Sequence, residues 1–155
     1  MEKLNTLLKT FEETISEQEK LDITISKSNI GWHIEHIFLT TSGIIDLLKK
    51  SNPEEYKWSF KIPRFVVFTI KKIPRGKAKA PKKAIHEIYN EETLREKYKI
   101  VKSKIQELND ISKDKYFTHP FFGDLKLKQT ITFLEIHAEH HLKIIQDILK
   151  SGKQL

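Results

Sequence analysis

The sequence predicts an all-α protein: a four-helix bundle with one long crossover connection between its second and third helices. Four segments repeat apolar residues at the three- and four-residue spacing of an amphipathic helix. The connection between the second and third segments spans residues 51–89, which is the long crossover that some bundles contain. A chain of 155 residues is large enough to bury one core, so we expect a single domain over residues 1–155.

The first two predicted helices differ in the number of their apolar faces. Residues 2–18 carry one apolar stripe, whereas residues 30–50 carry two stripes on nearly opposite sides. A helix that is apolar on two sides is expected to be buried between neighbours. The stripes are Leu4, Leu8, Phe11 and Ile15 in the first helix, and Trp32, His36, Leu39, Gly43 and Leu47 opposite Ile34, Phe38 and Ile45 in the second.

The third and fourth predicted helices complete the bundle. The third begins near Asn90, an effective N-cap, and Glu91 and Glu92 in its first turn favour the positive end of the helix dipole. The fourth covers residues 127–150, an apolar-periodic segment.

The crossover is too long to be a structureless loop in a compact domain. It holds four of the five prolines, and its middle, residues 65–70, is apolar. We expect that middle part to pack as a short helix or an extended segment beside the bundle. The basic stretch that follows, residues 71–83, is expected to be exposed.

The net charge of +7 comes entirely from that basic stretch. Residues 71–83 contain seven basic side chains and no acid, and the rest of the chain has equal numbers of basic and acidic residues. Nucleic-acid binding here would depend steeply on salt. However, all but three of the 28 basic residues are lysines, and the stretch has no aromatic residue on which a base could stack. We expect a solvated loop and neither nucleic acid nor membrane as a partner.

Two absences narrow the chemistry further. The sequence has no cysteine, which excludes disulfides, thiolate zinc sites and a cysteine nucleophile. It also has no apolar run near the roughly 18 residues of a membrane span and no recognisable signal peptide, so we expect a cytoplasmic protein.

The histidines suggest a metal site. His137 and His141 are four residues apart, so they share one face of the fourth helix, and that face is apolar. His36 faces the core from the second helix and offers a third ligand; His33, about 60° away on the helical wheel, could substitute but is expected to flank the site. Neutral imidazole suits Zn²⁺, Ni²⁺ or Fe²⁺, and three protein ligands leave a position open for water or substrate. The competing interpretation is a set of hydrogen-bonded core histidines.

Two better-known helical metal sites are excluded by the sequence. Di-iron bundles require Glu-x-x-His pairs, and no histidine here has a glutamate three residues before it. The zincin motif His-Glu-x-x-His is also absent.

Three elements of the chain resemble the DinB-like (YfiT-like) metalloenzyme superfamily. Residues 31–37 (GWHIEHI) are similar to its Trp-x-x-x-His-Leu/Ile element, and residues 137–142 (HAEHHL) are similar to its closing His-x-x-His-His-Leu element. Residues 119–125 (HPFFGDL) resemble the His-Pro-x-Phe-Gly-x-Leu element of one uncharacterised branch. The resemblance extends from about residue 28 to residue 150, and it implies a four-helix bundle.

The resemblance also implies a function. It places a divalent metal at the open end of the bundle, with His36, His137 and His141 as ligands. Members with known activity are transferases or isomerases that use a low-molecular-weight thiol as cosubstrate, and such a thiol would suit a chain without cysteine. Two positions depart from the fuller pattern: Lys143 stands where many members have arginine, and Lys126 replaces the usual Ser or Thr helix cap.

Four further residues are candidates for contacts around the ligands or with a substrate. They are Trp32, His33, His119 and His140. For His119, which precedes Pro120, the favoured interpretation is a turn that holds its loop on the core.

Glu35 and Glu139 adjoin the ligands in sequence but point away from them on a helical wheel. We expect them at the surface or between helices rather than as catalytic bases.

The predicted function is that of a divalent-metal-dependent enzyme with an open three-histidine site, either a thiol-dependent transferase or a hydrolase acting on an unidentified small molecule. The alternative is a non-catalytic metal-binding or stress-response bundle. A homodimer is also expected, because the doubly apolar second helix and the Phe-rich crossover leave room for one.

Overall fold

The computed structural model describes residues 1–75 and 90–151, and it is mainly helical. The rest of the basic stretch, residues 76–83, lies outside the described residues. The elements are α1 (Glu2–Glu13), α2 (Ile30–Lys50), α3 (Ile62–Ile70), α4 (Glu91–Glu107), β1 (Tyr116–His119), β2 (Gly123–Lys126) and α5 (Leu127–Ser151).

Four long helices enclose the core. Helix α2 packs against α4 and α5, and α1 packs against the same two helices. Aliphatic and phenylalanine side chains from all four are buried between them, among them Leu8, Phe38, Ile105 and Ile145. The predicted all-α fold is confirmed. Within the described ranges, no helix combines the length and apolar character needed to cross a membrane.

Side-chain caps fix where two of these helices begin. The side chain of Asn29 accepts the backbone N–H of Trp32 at 3.0 Å and so starts α2. At α4, Asn90 and Thr93 form a reciprocal capping box, with the two side chain–backbone bonds at 2.9 Å. The Asn29 cap matters for the site, because it sets the register of the histidines in the first two turns of α2.

The first helix is shorter than predicted. It ends at Glu13 rather than near Gln18, and a 3₁₀ turn over Ile15–Glu17 follows. The backbone N–H of Thr14 bonds to the carbonyl of Phe11 at 3.1 Å, a three-residue bond that tightens the helix end. Ile15 is nevertheless fully buried, so the apolar stripe extends beyond the α-helix itself.

An antiparallel hairpin, β1–β2, was not predicted. Its strands have four residues each, and Gly123 closes the turn with a φ of 70°. A Cβ at Gly123 would lie 2.8 Å from Ser59 Oγ, so glycine is required there both by backbone conformation and by space. A Pro-x-x-Gly sequence, residues 120–123, beside Tyr116 and Phe117 is the signal that could have identified the hairpin.

Asp124 joins this hairpin to the crossover. Its carboxylate accepts the backbone N–H of Lys57 at 2.8 Å and the hydroxyl of Thr118 at 2.7 Å. Its backbone carbonyl accepts a hydrogen bond from the guanidinium of Arg64 at 3.3 Å. The crossover is therefore held on the hairpin by polar contacts.

Helix α3 meets only in part the expectation of a short segment packed beside the bundle, since Val67 joins the core and Phe68 packs against it. Residues 65–70 are helical, but Phe65 is 60% exposed, and the buried side chains of α3 are Arg64 and Val67. Arg64 is directed inward because its guanidinium donates to the carbonyls of Asp124 and Ser59. The apolar residues left outside, which we call the outer patch, are Trp58, Phe60, Ile62, Phe65, Val66 and Ile70.

Candidate metal centre

The structure brings the three predicted ligands together from two packed helices. His36 lies on α2, and His137 and His141 lie one turn apart on α5. One ring nitrogen from each residue lies within 4.8 Å of the others. Two nitrogens bound to one Zn²⁺ can be at most about 4.2 Å apart. Small side-chain rotations would therefore place all three on one ion.

The burial of these rings supports a metal site over a set of satisfied core histidines. His36 and His141 are buried. Nδ1 of His137 is also buried, and it has no hydrogen-bond partner among the described residues. Leaving such a polar atom unpaired costs about 1–3 kcal/mol, which a bound ion would offset. The chemistry of this donor set therefore fits a divalent metal.

The pKa values of His137 and His141 are lowered, so these two rings are neutral at physiological pH. Burial lowers the pKa of His137 to about 3, and the positive charge that His36 would carry lowers it further. Burial also holds the pKa of His141 well below its usual range, again with neighbouring histidines adding to the effect. Neutral imidazoles keep the lone pairs that a metal requires.

His33 orients His141. Nδ1 of His33 lies 2.8 Å from Nδ1 of His141, and Nε2 of His33 lies 3.0 Å from Oγ of Ser26. Because this contact occupies Nδ1 of His141, its Nε2 is the nitrogen left for a metal. His141 then donates from Nδ1–H to His33, and His33 donates from Nε2–H to Ser26, a consistent set of tautomers. Burial lowers the pKa of His33 to about 4, which keeps that ring neutral.

Trp32 forms one side of the site. Its indole stacks on the ring of His36, with centroids 5.0 Å apart and planes 4° apart, and it meets His33 edge-on at 5.1 Å. The indole is only half-buried because it also lines the cleft next to the histidines. The stacking restricts the rotation of His36.

An apolar cleft of about 600 Å³ opens beside the three histidines. Its walls come from α2, α3, the hairpin and α5, and they include Ile44, Leu47, Val67, Phe117, Phe122 and Phe133. The stripe of α2 that was expected to be buried between neighbours instead borders this cleft, since Leu47 is 55% exposed. In the described part of the chain, the hairpin and α3 stand across the cleft from that side of α2.

His119 lies at the end of β1, in the turn that the sequence predicted. Its Nδ1 accepts the backbone N–H groups of Phe121 and Phe122 at 3.1 and 3.2 Å. The ring also lines the cleft, and burial lowers its pKa to about 4. His119 therefore holds the turn and borders the candidate site at the same time.

His140 lies between the cleft and a smaller basic recess. Its ring meets His141 edge-on at 5.2 Å, and it borders both cavities. Burial lowers its pKa, and a hydrogen bond to the backbone of Ile73 acts in the opposite direction. The recess has a volume of about 280 Å³, and its basic side chains are Lys71, Lys72, Arg75 and Lys143.

The two acidic neighbours of the ligands take part in ion pairs away from the histidines. Glu35 is fully buried and pairs with Lys97 of α4, so it lies between helices as expected. Glu139 pairs with Lys3 of α1 at 2.8 Å. The departure at Lys126 has a local compensation, because the side chain of Gln129 accepts its backbone N–H at 3.1 Å.

The fold and the site together define a class: a mainly helical protein with a buried three-histidine cluster at an apolar cleft. The chain belongs to the DinB superfamily, whose family model matches residues 4–145. No curated protein and no solved structure matches the chain.

Proposed function

We propose that this protein is a divalent-metal-dependent enzyme that acts on a small molecule bound in the apolar cleft. The observation that carries the proposal is the buried Nδ1 of His137, which has no hydrogen-bond partner in the described part of the chain and lies close to ring nitrogens of His36 and His141. Membership of the DinB superfamily is compatible with a metal-binding protein. The metal would be Zn²⁺, Ni²⁺ or Fe²⁺, which all accept imidazole ligands.

The residues around the cluster divide the work of such a site. His36, His137 and His141 would hold the ion, His33 orients His141, and Trp32 restricts His36. When bound, the ion would act as a Lewis acid and lower the pKa of a coordinated water or thiol. The apolar walls exclude water, which strengthens electrostatic interactions inside the cleft.

Two reaction classes use this arrangement: hydrolysis, and group transfer from a low-molecular-weight thiol cosubstrate. The chain has no cysteine, so a thiol nucleophile would have to enter with the cosubstrate. A thiol-dependent transferase is the class that the family resemblance favours. Turnover measured with and without a panel of low-molecular-weight thiols separates it from a hydrolase.

The metal site is tested with protein purified without a polyhistidine tag. We expect one equivalent of Zn²⁺, Ni²⁺ or Fe²⁺ by mass spectrometry of the metals after loading. The double variant His137→Ala/His141→Ala should lose it, whereas the matched control His140→Ala should retain it, because His140 is not one of the three clustered ligands. Retention of the metal by the double variant would show that the ligands are wrong.

The alternative function is a non-catalytic metal-binding or stress-response protein with the same site. A thermal-shift screen of thiols and small electrophiles, followed by turnover assays, distinguishes the two. Binding of ligands without turnover would favour the alternative. Nucleic-acid binding through the basic stretch has less support, and the absence of a gel shift at low salt would exclude it.

We further propose that the protein forms a homodimer through the outer patch. Six large apolar side chains exposed together on residues 58–70 are unusual for a monomer surface. A symmetric pair of such patches would remove this area from water. Light scattering coupled to size-exclusion chromatography measures the oligomeric state directly.

A further inference from the structure

His119 is held rigidly between aromatic rings at the edge of the cleft. It stacks on Phe122, with centroids 4.2 Å apart and planes 14° apart. It meets the ring of Phe133 edge-on at 4.7 Å. Phe133 in turn stacks on the predicted ligand His137 at 5.5 Å. His119 and the metal cluster are therefore neighbours of the same phenylalanine.

The backbone of the turn determines which nitrogen of His119 carries the proton. Two N–H groups, from Phe121 and Phe122, point at Nδ1, so Nδ1 must be an acceptor and cannot carry a hydrogen. The proton of the neutral ring is then on Nε2. Burial lowers the pKa of His119 to about 4, so this single tautomer persists through the physiological range.

The Nε2–H group is a hydrogen-bond donor on a ring that lines the cleft. Within residues 1–75 and 90–151, the hydrogen bonds of His119 are the two to Nδ1, and none involves Nε2. Two other polar groups on the cleft wall are engaged: the hydroxyl of Thr40 donates to the carbonyl of His36, and His140 bonds to the backbone of Ile73. A fixed, neutral donor among apolar side chains is the usual means by which a pocket orients a ligand.

We propose that His119 is a substrate-binding residue whose Nε2–H donates a hydrogen bond to a carbonyl-type oxygen of the molecule in the cleft. The substrate class is thus an apolar compound that carries a carbonyl group close to the metal cluster. The inference rests on the proposed function only in taking the cleft as the substrate site. A neutral donor of this kind contributes about three- to tenfold in affinity.

The test uses a pair of probes of nearly the same shape, acetophenone and ethylbenzene, of which only the first has a carbonyl. Dissociation constants are measured by NMR titration with zinc-treated and with EDTA-treated protein. We expect the wild-type protein to bind acetophenone about three- to tenfold more tightly than ethylbenzene in both preparations. Equal affinities, including no binding of either probe, would overturn the proposal.

Two variants separate ligand binding from the structural role of the turn. In His119→Asn, the amide oxygen can take the place of Nδ1 as acceptor while the distal donor is lost, so the carbonyl preference should disappear and the fold should persist. In His119→Gln, an amide N–H can reach the position of Nε2 while the turn loses its acceptor, so the preference should persist and thermal stability should fall. If His119→Asn keeps the carbonyl preference and His119→Gln loses it, His119 is a purely structural residue.

The outcomes also distinguish this proposal from that of the metal site. A carbonyl preference that vanishes with EDTA and survives in His119→Asn would assign the carbonyl to the metal and overturn the role of His119. A carbonyl preference that the wild-type protein keeps with EDTA and that His119→Asn loses supports the substrate-binding role of His119, even if no metal binds. If the asparagine variant fails to fold, nitrogen-15 shifts of wild-type His119 decide: a protonated Nδ1, or a charged ring at pH 7, would overturn the assignment.

Discussion

Replacement of His33 by leucine should weaken metal binding without removing any predicted ligand. The Nδ1 atoms of His33 and His141 lie 2.8 Å apart where both rings are buried, and with Nε2 of His141 on a metal its Nδ1–H donates to His33. Leucine would leave that N–H without a partner, at a cost of about 1–3 kcal/mol. Since 1.4 kcal/mol corresponds to tenfold in affinity, the dissociation constant for the metal should rise about 10- to 100-fold.

The matched control is His33→Asn, whose amide oxygen can take the place of Nδ1 and accept the same hydrogen bond. Competition with a chromophoric zinc chelator gives the affinity of each variant. Circular dichroism checks that each variant is folded. We expect the leucine variant to fold because leucine fills the same apolar space. We expect the asparagine variant to stay within a few-fold of the wild type. A leucine variant that binds zinc as tightly as the wild type would refute the orienting role of His33.

Three other predictions concern stability and assembly. The pKa of His33 is about 4 and that of His137 about 3 in the fold, below the usual 6.5, so acid favours the unfolded chain. The free energy of unfolding of the metal-free protein, measured with urea, should be at its full value above pH 6.5. Between pH 7 and pH 5.5 it should fall by about 1 kcal/mol for each of these histidines. A free energy of unfolding that stays constant over this range would contradict the lowered pKa values. Gly123→Ala should cost about 1–2 kcal/mol in the same assay, because a φ of 70° and Ser59 Oγ at 2.8 Å both disfavour a Cβ; an unchanged midpoint would mean that the turn relaxes. Phe65→Glu should yield a monomer by light scattering, with zinc content unaltered, and a persisting dimer would exclude the outer patch as its interface.

The proximity of His36, His137 and His141 could be predicted because it depends mainly on helical periodicity. The spacing of His137 and His141 fixes their common face, and the apolar stripes place His36 toward the same core. The start of α4 was predictable for a similar reason, since a capping box is read from neighbouring residues. These features are local, and the packing of the helices follows from them.

The walls of the cleft could not be predicted in this way. The apolar pattern of α3 shows that the segment is helical but does not show which side of the helix faces inward. That side is set by the backbone carbonyls that accept hydrogen bonds from Arg64. The exposed face of α2 depends on the hairpin standing opposite it, and the orientation of His141 depends on His33, 108 positions away in sequence. Each of these is a tertiary contact between distant segments.

The contacts of Asp124 show that the part of the protein that shapes the cleft is distinct from the part that places the histidines. Its carboxylate and its carbonyl together tie the crossover, through Lys57 and Arg64, to the hairpin at Thr118. The crossover and the hairpin therefore form one connected wall of the cleft, which faces the helices that carry the three histidines. Insertions or substitutions in that wall can reshape the cleft while the histidine geometry stays constant. The same metal-binding site could in this way accept different substrates when the residues of the cleft wall change.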